Sequence, residues 1–302
     1  MFPCKLNIVT DGQWGSCGKG LVTTALASKH KPDIISTTNM ANAGHTAVWN
    51  DGNAFIAKAL PSATALTKWM DDYKPTIFIG ASAAFDIKQL LKEVQETQLE
   101  NLLVHPRAGV ITEDHKQQEN SHVSNSTKHI ASTMQGCGTF LADKVLRKQS
   151  LKLARDYDEL QDYMVEEPHL WLHEQLMLGK TILHEGSQGF SLDINHGSHY
   201  PQCTSRSTTA MQNMADLGLS NKHLGQVYLV IRPFPIRVGN VIEDGKVVGY
   251  SGDCYEDQKE LTWADVMINA KAPPDVVNDI VNKELTTVTK RLRRVFTFSE
   301  RQ

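Results

Sequence analysis

The stretch "VTDGQWGSCGKGL", residues 9–21, decides how this chain is read. An apolar run (Leu6, Ile8, Val9) enters a turn with four glycines and a lysine, after which Leu21 to Leu26 has helical character. A strand, a glycine-rich turn and a helix start bring backbone N–H groups and the positive end of a helix dipole together, which favours phosphate. The spacing is not that of a Walker loop. That loop has four residues between its first glycine and the Gly-Lys pair and then Ser or Thr for Mg²⁺, whereas five separate Gly12 from Gly18 and Gly20 follows Lys19.

Outward from this loop, short apolar runs ("KLNIVT", "DIIST", "TIFIG", "TILHEG", "QVYLVIRP") are separated by helical stretches. The pattern predicts an α/β fold with a mostly parallel central sheet flanked by helices. Ile87, Leu90, Leu91 and Val94 make one apolar stripe over residues 83–96, and a second helix is expected over 157–178, ended by Gly179. "TAVWNDGNAFIAKALP" (46–61) reads as a hairpin around Asn50-Asp51-Gly52-Asn53. The polar segment 113–129 reads as a mobile surface loop, and 240–262, rich in turn formers and acids, as an insertion or hairpin.

The 302 residues can bury a large core, and we take 1–302 as a single catalytic domain. Thirty-one Lys and Arg against 34 Asp and Glu give a net charge of -3, so no overall basic field points to nucleic acid; "KRLRR" is only a local cluster. No signal peptide and no membrane-length apolar run is read, so the expected location is the cytoplasm, the host-cell cytoplasm if the gene is a phage's, with neither membrane nor nucleic acid as partner. Five scattered cysteines without a C-x-x-C pair indicate reduced thiols rather than a disulfide framework or zinc site.

Three further constellations carry polar chemistry. "NMANAGHTAVW" (39–49) puts Asn42, Gly44, His45 and Thr46 just before the hairpin, where a backbone can approach a ligand beneath a histidine. "HEGSQGFSLDINHGSHYPQCTSRSTTA" (184–210) gathers Glu185, Gln188, Asp193, His196 and a hydroxyl-rich run behind a strand, at no standard metal-ligand spacing. "TTVTKRLRRVFTFS" (286–299) offers Thr287, Thr289, Lys290, Arg291, Arg293 and Arg294 to a carboxylate or phosphate. Each alone has a bland reading as a turn, a polar loop or a solvated charge run.

Taken in order, "DGQWGSCGKG", "NAGHT", "EGSQG…LDINHG…T" and the Thr/Arg-rich loop are similar to the adenylosuccinate synthetase family over nearly the whole chain. The resemblance implies a related P-loop-like α/β fold and a ligase. In it a nucleoside triphosphate phosphorylates the 6-oxygen of a purine monophosphate, and L-aspartate displaces that phosphate. It makes His45 the general acid at the transferring phosphoryl group, puts the Gly44 carbonyl and Thr46 at Mg²⁺ and phosphate, and gives triphosphate oxygens to Lys19 and the amides of Gly15, Ser16, Cys17, Gly18 and Gly20. Asn42, Ala43, Ser132, Thr133, Gln188 and Thr204 match positions that hold the purine monophosphate. Arg147 matches an arginine donated across a homodimer interface to the 5′-phosphate. Thr287, Val288, Thr289, Arg291 and Arg293 match the aspartate loop, Arg291 also reaching the monophosphate and Arg293 the triphosphate.

The chain departs from the family at Ser16. Most members read G-D-E-G-K-G, where the Asp takes the N1 proton and ligates Mg²⁺. Ser16 is a poor base and a neutral, weaker metal ligand, though it remains the expected catalytic, purine-side and Mg²⁺-side residue together with Gly44 for the metal. Its small side chain leaves space beside N1 and C2 for a 2-amino group. The exchange, with "TTVTKRLRRVFTFS", resembles the phage branch of the family, which joins dGMP to aspartate on the route to 2-aminoadenine in DNA. The N1 proton then goes to a substrate phosphate, to water, or through Ser16 as a relay. No T-K-L-D-type guanine-reading sequence follows the arginine loop, so ATP or dATP is the expected donor rather than GTP. Alternatives are an ordinary synthetase using IMP and GTP, and a catalytically inactive nucleotide-binding regulator.

Overall fold

The computed structural model describes residues 5–121, 127–286 and 288–302. In chain order its strands are β1 (Leu6–Asp11), β2 (Ile34–Thr37), β3 (His45–Val48), β4 (Ala54–Ala57), β5 (Thr76–Ile79), β6 (Ala84–Phe85), β7 (Leu102–Val104), β8 (Gly109–Val110), β9 (Ile182–Glu185) and β10 (Leu224–Val230). Short strands β11 (Ile236–Arg237), β12 (Val241–Glu243), β13 (Lys246–Gly249), β14 (Glu260–Leu261) and β15 (Arg294–Phe296) follow. The α-helices are α1 (Lys19–His30), α2 (Leu66–Trp69), α3 (Ile87–Thr97), α4 (Glu113–Ser121), α5 (Cys137–Val145), α6 (Pro168–Met177), α7 (Ala210–Asp216), α8 (Trp263–Asn269) and α9 (Pro274–Lys283).

Among the described residues the central sheet has six strands in the order β10-β1-β9-β2-β5-β7, every neighbouring pair parallel. Its inner strands β1, β9 and β2 are buried along their whole length because both faces are covered, as parallel sheets require; their first residues are mainly apolar, and their C-terminal ends carry buried polar groups such as Asp11, Thr37 and Glu185. Ile35, Ile77, Ile79 and Leu183 pack into the core on one face, with Leu60, Leu66 and Leu90. Ile34, Phe78 and Ile182 face the other way, onto Leu172, Leu176 and Met214. All five strands read from the sequence lie in this sheet; the three-residue β7 was not among them. The hairpin is β3 paired with β4, and 240–262 holds the β12–β13 hairpin.

Two helix expectations need correction. Over 157–178 the chain forms a 3-10 turn (Asp158–Tyr163) and then a separate helix that Pro168 starts. Proline suits a helix's first turn but inside one removes an N–H and clashes with the preceding turn, so a continuous helix is not available. Gly179, at φ 81°, does end it. Segment 113–129 is not a loop throughout: Glu113–Ser121 is helical, with Glu113 and Asp114 at the end where the dipole favours acids. The helix was hidden because its buried face is polar, His115 and Glu119 each being 7% exposed. Residues 122–126 of that expected loop lie outside the described residues. No helix among the described residues is long and apolar enough to cross a membrane.

Candidate active site

The C-terminal ends of β1, β2 and β9 point to one edge of the sheet, where open α/β sheets place their ligands. There the glycine-rich loop is built around Asp11, the last residue of β1, only 1% exposed. Asp11 Oδ1 accepts from the backbone N–H of Gln13 (2.8 Å) and Gly15 (3.2 Å). Oδ2 accepts from the Cys17 N–H (3.1 Å) and from Lys19 Nζ (3.1 Å). Lys19 also donates to the carbonyls of Gly15 and Gln188, both at 2.8 Å, which gives its three protons three acceptors.

This arrangement differs from the expectation. The Lys19 ammonium and the Gly15 and Cys17 amides face a carboxylate of the protein itself, and Lys19 bolts the loop to Gln188 from beneath. Residue type announces a charge but not the direction in which it points. Ser16 lines the cavity, next to the start of α1, whose first-turn N–H groups have no partner inside the helix. Cys17 donates its thiol to Gln13 Oε1 (3.1 Å); burial, and then the charge of Asp11, push that thiol well above its ordinary range, which disfavours the thiolate. Gly15 and Gly20 are demanded by close approach. At φ 87° a Gly15 Cβ would stand 3.1 Å from the Gln188 backbone, and a Gly20 Cβ 2.7 Å from the Thr46 carbonyl oxygen.

His45 opens β3 and meets Glu185, which closes β9: Nδ1 lies 2.7 Å from Glu185 Oε1. Ser62 donates its backbone N–H to the same oxygen (3.0 Å), and its hydroxyl bonds Oε2. Burial alone would raise the Glu185 carboxyl, but the charge and hydrogen bond of His45 and the two bonds from Ser62 hold it below its usual range. An ionised Glu185 fixes the proton on Nδ1 and leaves Nε2 as the working nitrogen of a residue that lines the site cavity. The sequence put Glu185 in a polar cluster without assigning it a role; its partner is 140 residues away in the chain.

These elements surround a cavity of about 180 Å³. It is lined by Gly15, Ser16, Asn42, Ala43, Gly44, His45, Ser132, Thr133, Gln188, Thr204, Val288, Thr289 and Arg293, all expected from the sequence. Trp14, Leu192, Gln202, Cys203, Arg237, Val238, Ser251 and Thr286 line it as well and were not foreseen. Arg237 is 2% exposed and lies 5.0 Å above the Trp14 ring. It donates to the carbonyls of Asp253 (2.7 Å), Gln202 (3.1 Å) and Ser251; burial, then Arg294, lowers its pKa to about 10, still a cation.

Other expected residues are not among those lining the cavity. Cys17, Gly18, Lys19, Gly20 and Thr46 do not line it. Arg291 spends its guanidinium on the carbonyls of Ala131 (3.0 Å), Ser132 (2.8 Å) and Gly239 (3.2 Å), which ties the arginine loop to the opposite wall rather than offering it to a ligand. Arg147 is exposed just past α5 and does not line the cavity. Thr287 lies outside the described residues. Among the described residues no group of three or more His, Cys, Asp or Glu is placed to hold a metal. At the cavity, Ser16 and the Gly44 carbonyl are neutral oxygens, a set that suits a hard cation arriving mostly ligated by substrate phosphates and water.

A family model described as adenylosuccinate synthetase matches residues 8–158 and 148–295. The N6-succino-2-amino-2'-deoxyadenylate synthase of Salmonella phage PMBT28 is 34% identical over 99% of this chain and 80% of its own length. The same enzyme of Vibrio phage phiVC8 is 36% identical over 98% of this chain and 80% of the relative. Among solved structures, the cyanophage S-2L succinoaminodeoxyadenylate synthetase (PurZ), bound to dGMP and dATP as an energy donor, superposes with a TM-score of 0.81 at 31% identity, covering 98% of this chain and 79% of that one. A fully ligated adenylosuccinate synthetase from Plasmodium falciparum, at 22% identity and TM-score 0.74, shares the fold.

Proposed function

This chain belongs to the adenylosuccinate synthetase family, and from that premise we propose that it joins L-aspartate to C6 of dGMP at the expense of ATP or dATP, giving 2-amino-2'-deoxy-N6-succinyladenylate. It is a C–N ligase of the phage type. The observation that carries the reading is the convergence of Ser16, His45, Gln188 and Arg293 on one cavity beside the glycine-rich loop.

A purine 6-oxygen is a poor leaving group until phosphorylated. Phosphoryl transfer creates negative charge at the γ-phosphate and O6, and then the aspartate amine attacks C6 and phosphate departs. His45, held by Glu185, presents Nε2 to the phosphoryl oxygens and O6 as acid and electrostatic stabiliser. Gln188, Thr204, Asn42, Ala43, Ser132 and Thr133 hold the monophosphate, and Val288, Thr289 and Arg293, with Thr287, take the aspartate. Lys19 acts by holding the loop in shape, and Arg291 by joining the cavity walls. Ser16 and the Gly44 carbonyl would hold Mg²⁺, which would supply neutralising charge to the triphosphate. Ser16, small and uncharged, leaves room for the 2-amino group of guanine. We read the chain as one catalytic domain that works in the host-cell cytoplasm as a homodimer, Arg147 of each subunit completing the other's 5′-phosphate site.

The test is a substrate matrix: dGMP, GMP, IMP and dIMP with aspartate, Mg²⁺ and ATP, dATP or GTP, read by product mass. The expected product comes from dGMP with ATP or dATP. Turnover confined to IMP and GTP would replace this reading by the ordinary synthetase, and no turnover with any pair by a regulator.

A further inference from the structure

The arginine loop and the glycine-rich loop are joined by a chain of charges in which Arg232 and Glu284 have no part in the reaction as described. The Gln13 side chain grips the Arg232 backbone: Gln13 Nε2 donates to the Arg232 carbonyl (3.1 Å) and the Arg232 N–H donates to Gln13 Oε1 (2.9 Å). The Arg232 side chain then reaches two ways, Nη1 to the Ser16 carbonyl (3.3 Å) and Nη2 to Glu284 Oε1 (3.1 Å). The other oxygen of that carboxylate, Oε2, accepts from Arg293 Nη1 (3.3 Å), and the Arg293 N–H donates to the Glu284 carbonyl (3.0 Å). Glu284 is 14% exposed and Arg293 17% exposed, so the bridge is largely shielded from solvent.

One carboxylate thus separates two guanidinium groups that would otherwise repel, and gives each a fixed hydrogen-bonding direction. Arg293 lines the cavity; Arg232 grips the tip of the loop beside which the triphosphate is to bind. We propose that Glu284 is a positioning residue that sets Arg293 for the substrate dicarboxylate and, through Arg232, makes aspartate capture depend on the state of the loop at Ser16. The inference rests on the aspartate-ligase reading. Any ligand that moves the Ser16 carbonyl shifts Arg232, changes its hold on Glu284 and so reorients Arg293; by linkage the donor and aspartate each alter the other's affinity by the same factor.

The experiment measures the aspartate KM at low and at saturating ATP for the wild type, Glu284→Gln, Glu284→Asp, Arg232→Met and the Glu284→Gln/Arg232→Met double variant. In the wild type the aspartate KM falls as ATP saturates. Glu284→Gln raises it about tenfold, as the loss of one charge-assisted hydrogen bond does, and abolishes its dependence on ATP, while the dGMP KM stays within about twofold. Glu284→Asp recovers part of the effect, and the double variant is no worse than either single one because both cut the same chain. Additive losses in the double variant, an equal rise in the dGMP KM, or an aspartate KM indifferent to ATP in the wild type would overturn the proposal. The coupling is also read without turnover, by calorimetric titration of a non-hydrolysable ATP analogue with and without aspartate. Wild-type protein that couples the two ligands but makes no succinylated product leaves Glu284 in its role and defeats the ligase reading. Protein that turns over aspartate without coupling does the reverse.

Discussion

Glu185 Oε1, at the end of β9 in the central sheet and wholly out of solvent, stands 2.7 Å from Nδ1 of His45, which opens the separate β3–β4 hairpin. A buried carboxylate on one imidazole nitrogen selects the tautomer, orients the ring and supports positive charge on it as the reaction proceeds. Glu185→Gln keeps the size of the side chain and removes the charge. We expect kcat to fall by about 100-fold, with nucleotide KM values within about threefold, in steady-state kinetics. Loss of nucleotide binding with kcat intact would place Glu185 in the architecture of the site rather than in the action of His45.

Stability should depend on pH through His184, which is fully buried on β9 and bonded through Nδ1 to Ser36 Oγ at 3.0 Å. Burial holds its pKa at about 4 against an ordinary value of 6.5. His105 is lowered to about 4 in the same way, first by burial and then by Lys144 and Arg107. Between these values the unfolded chain binds protons that the folded chain refuses, so their contribution is complete above about pH 6.5 and is lost as pH falls towards 4. Urea unfolding across that window should show a falling unfolding free energy, by roughly 1.4 kcal/mol per pH unit at most for the fully buried His184 and by less for the half-buried His105. His184→Gln should flatten the slope while lowering stability at neutral pH.

Arg147 tests assembly. If it serves the neighbouring subunit, Arg147→Ala and His45→Ala each give nearly inactive homodimers, and mixing them restores up to about a quarter of wild-type activity per dimer, from the hybrid's one intact site. No recovery on mixing, with subunit exchange verified by mass, would mean that each chain completes its own site.

Ser16→Asp restores a carboxylate where the family usually has one. We expect the kcat/KM ratio of dGMP to IMP to drop by at least about tenfold, read by competition in a single reaction. An unchanged ratio would show that this side chain does not read the 2-substituent.

Much of this architecture was legible because the inner strands are buried on both faces and leave near-continuous apolar runs, as in Ile34-Ile35 and Ile77-Phe78-Ile79. Helix Glu113–Ser121 was not, since the residues it buries are His115 and Glu119, and apolar periodicity cannot report a polar face. At the site the motifs identified the cavity wall from Ser16 to Arg293, because each motif sets residue types in local order. Orientation was out of reach. Nothing in "GKG" says that Lys19 turns inward to Asp11, or in "KRLRR" that Arg291 serves backbone carbonyls while Arg293 meets Glu284. Those outcomes depend on partners brought from distant strands.

In the proposed reaction the 6-oxygen of dGMP is phosphorylated and then displaced by aspartate. It is tested most directly with dGMP carrying ¹⁸O at C6, in the presence of aspartate, Mg²⁺ and ATP, with mass analysis of the released phosphate and the nucleotide product. One ¹⁸O is expected in each inorganic phosphate, with an unlabelled succinylated nucleotide. Unlabelled phosphate, or label retained in the nucleotide while ATP is consumed, would contradict it.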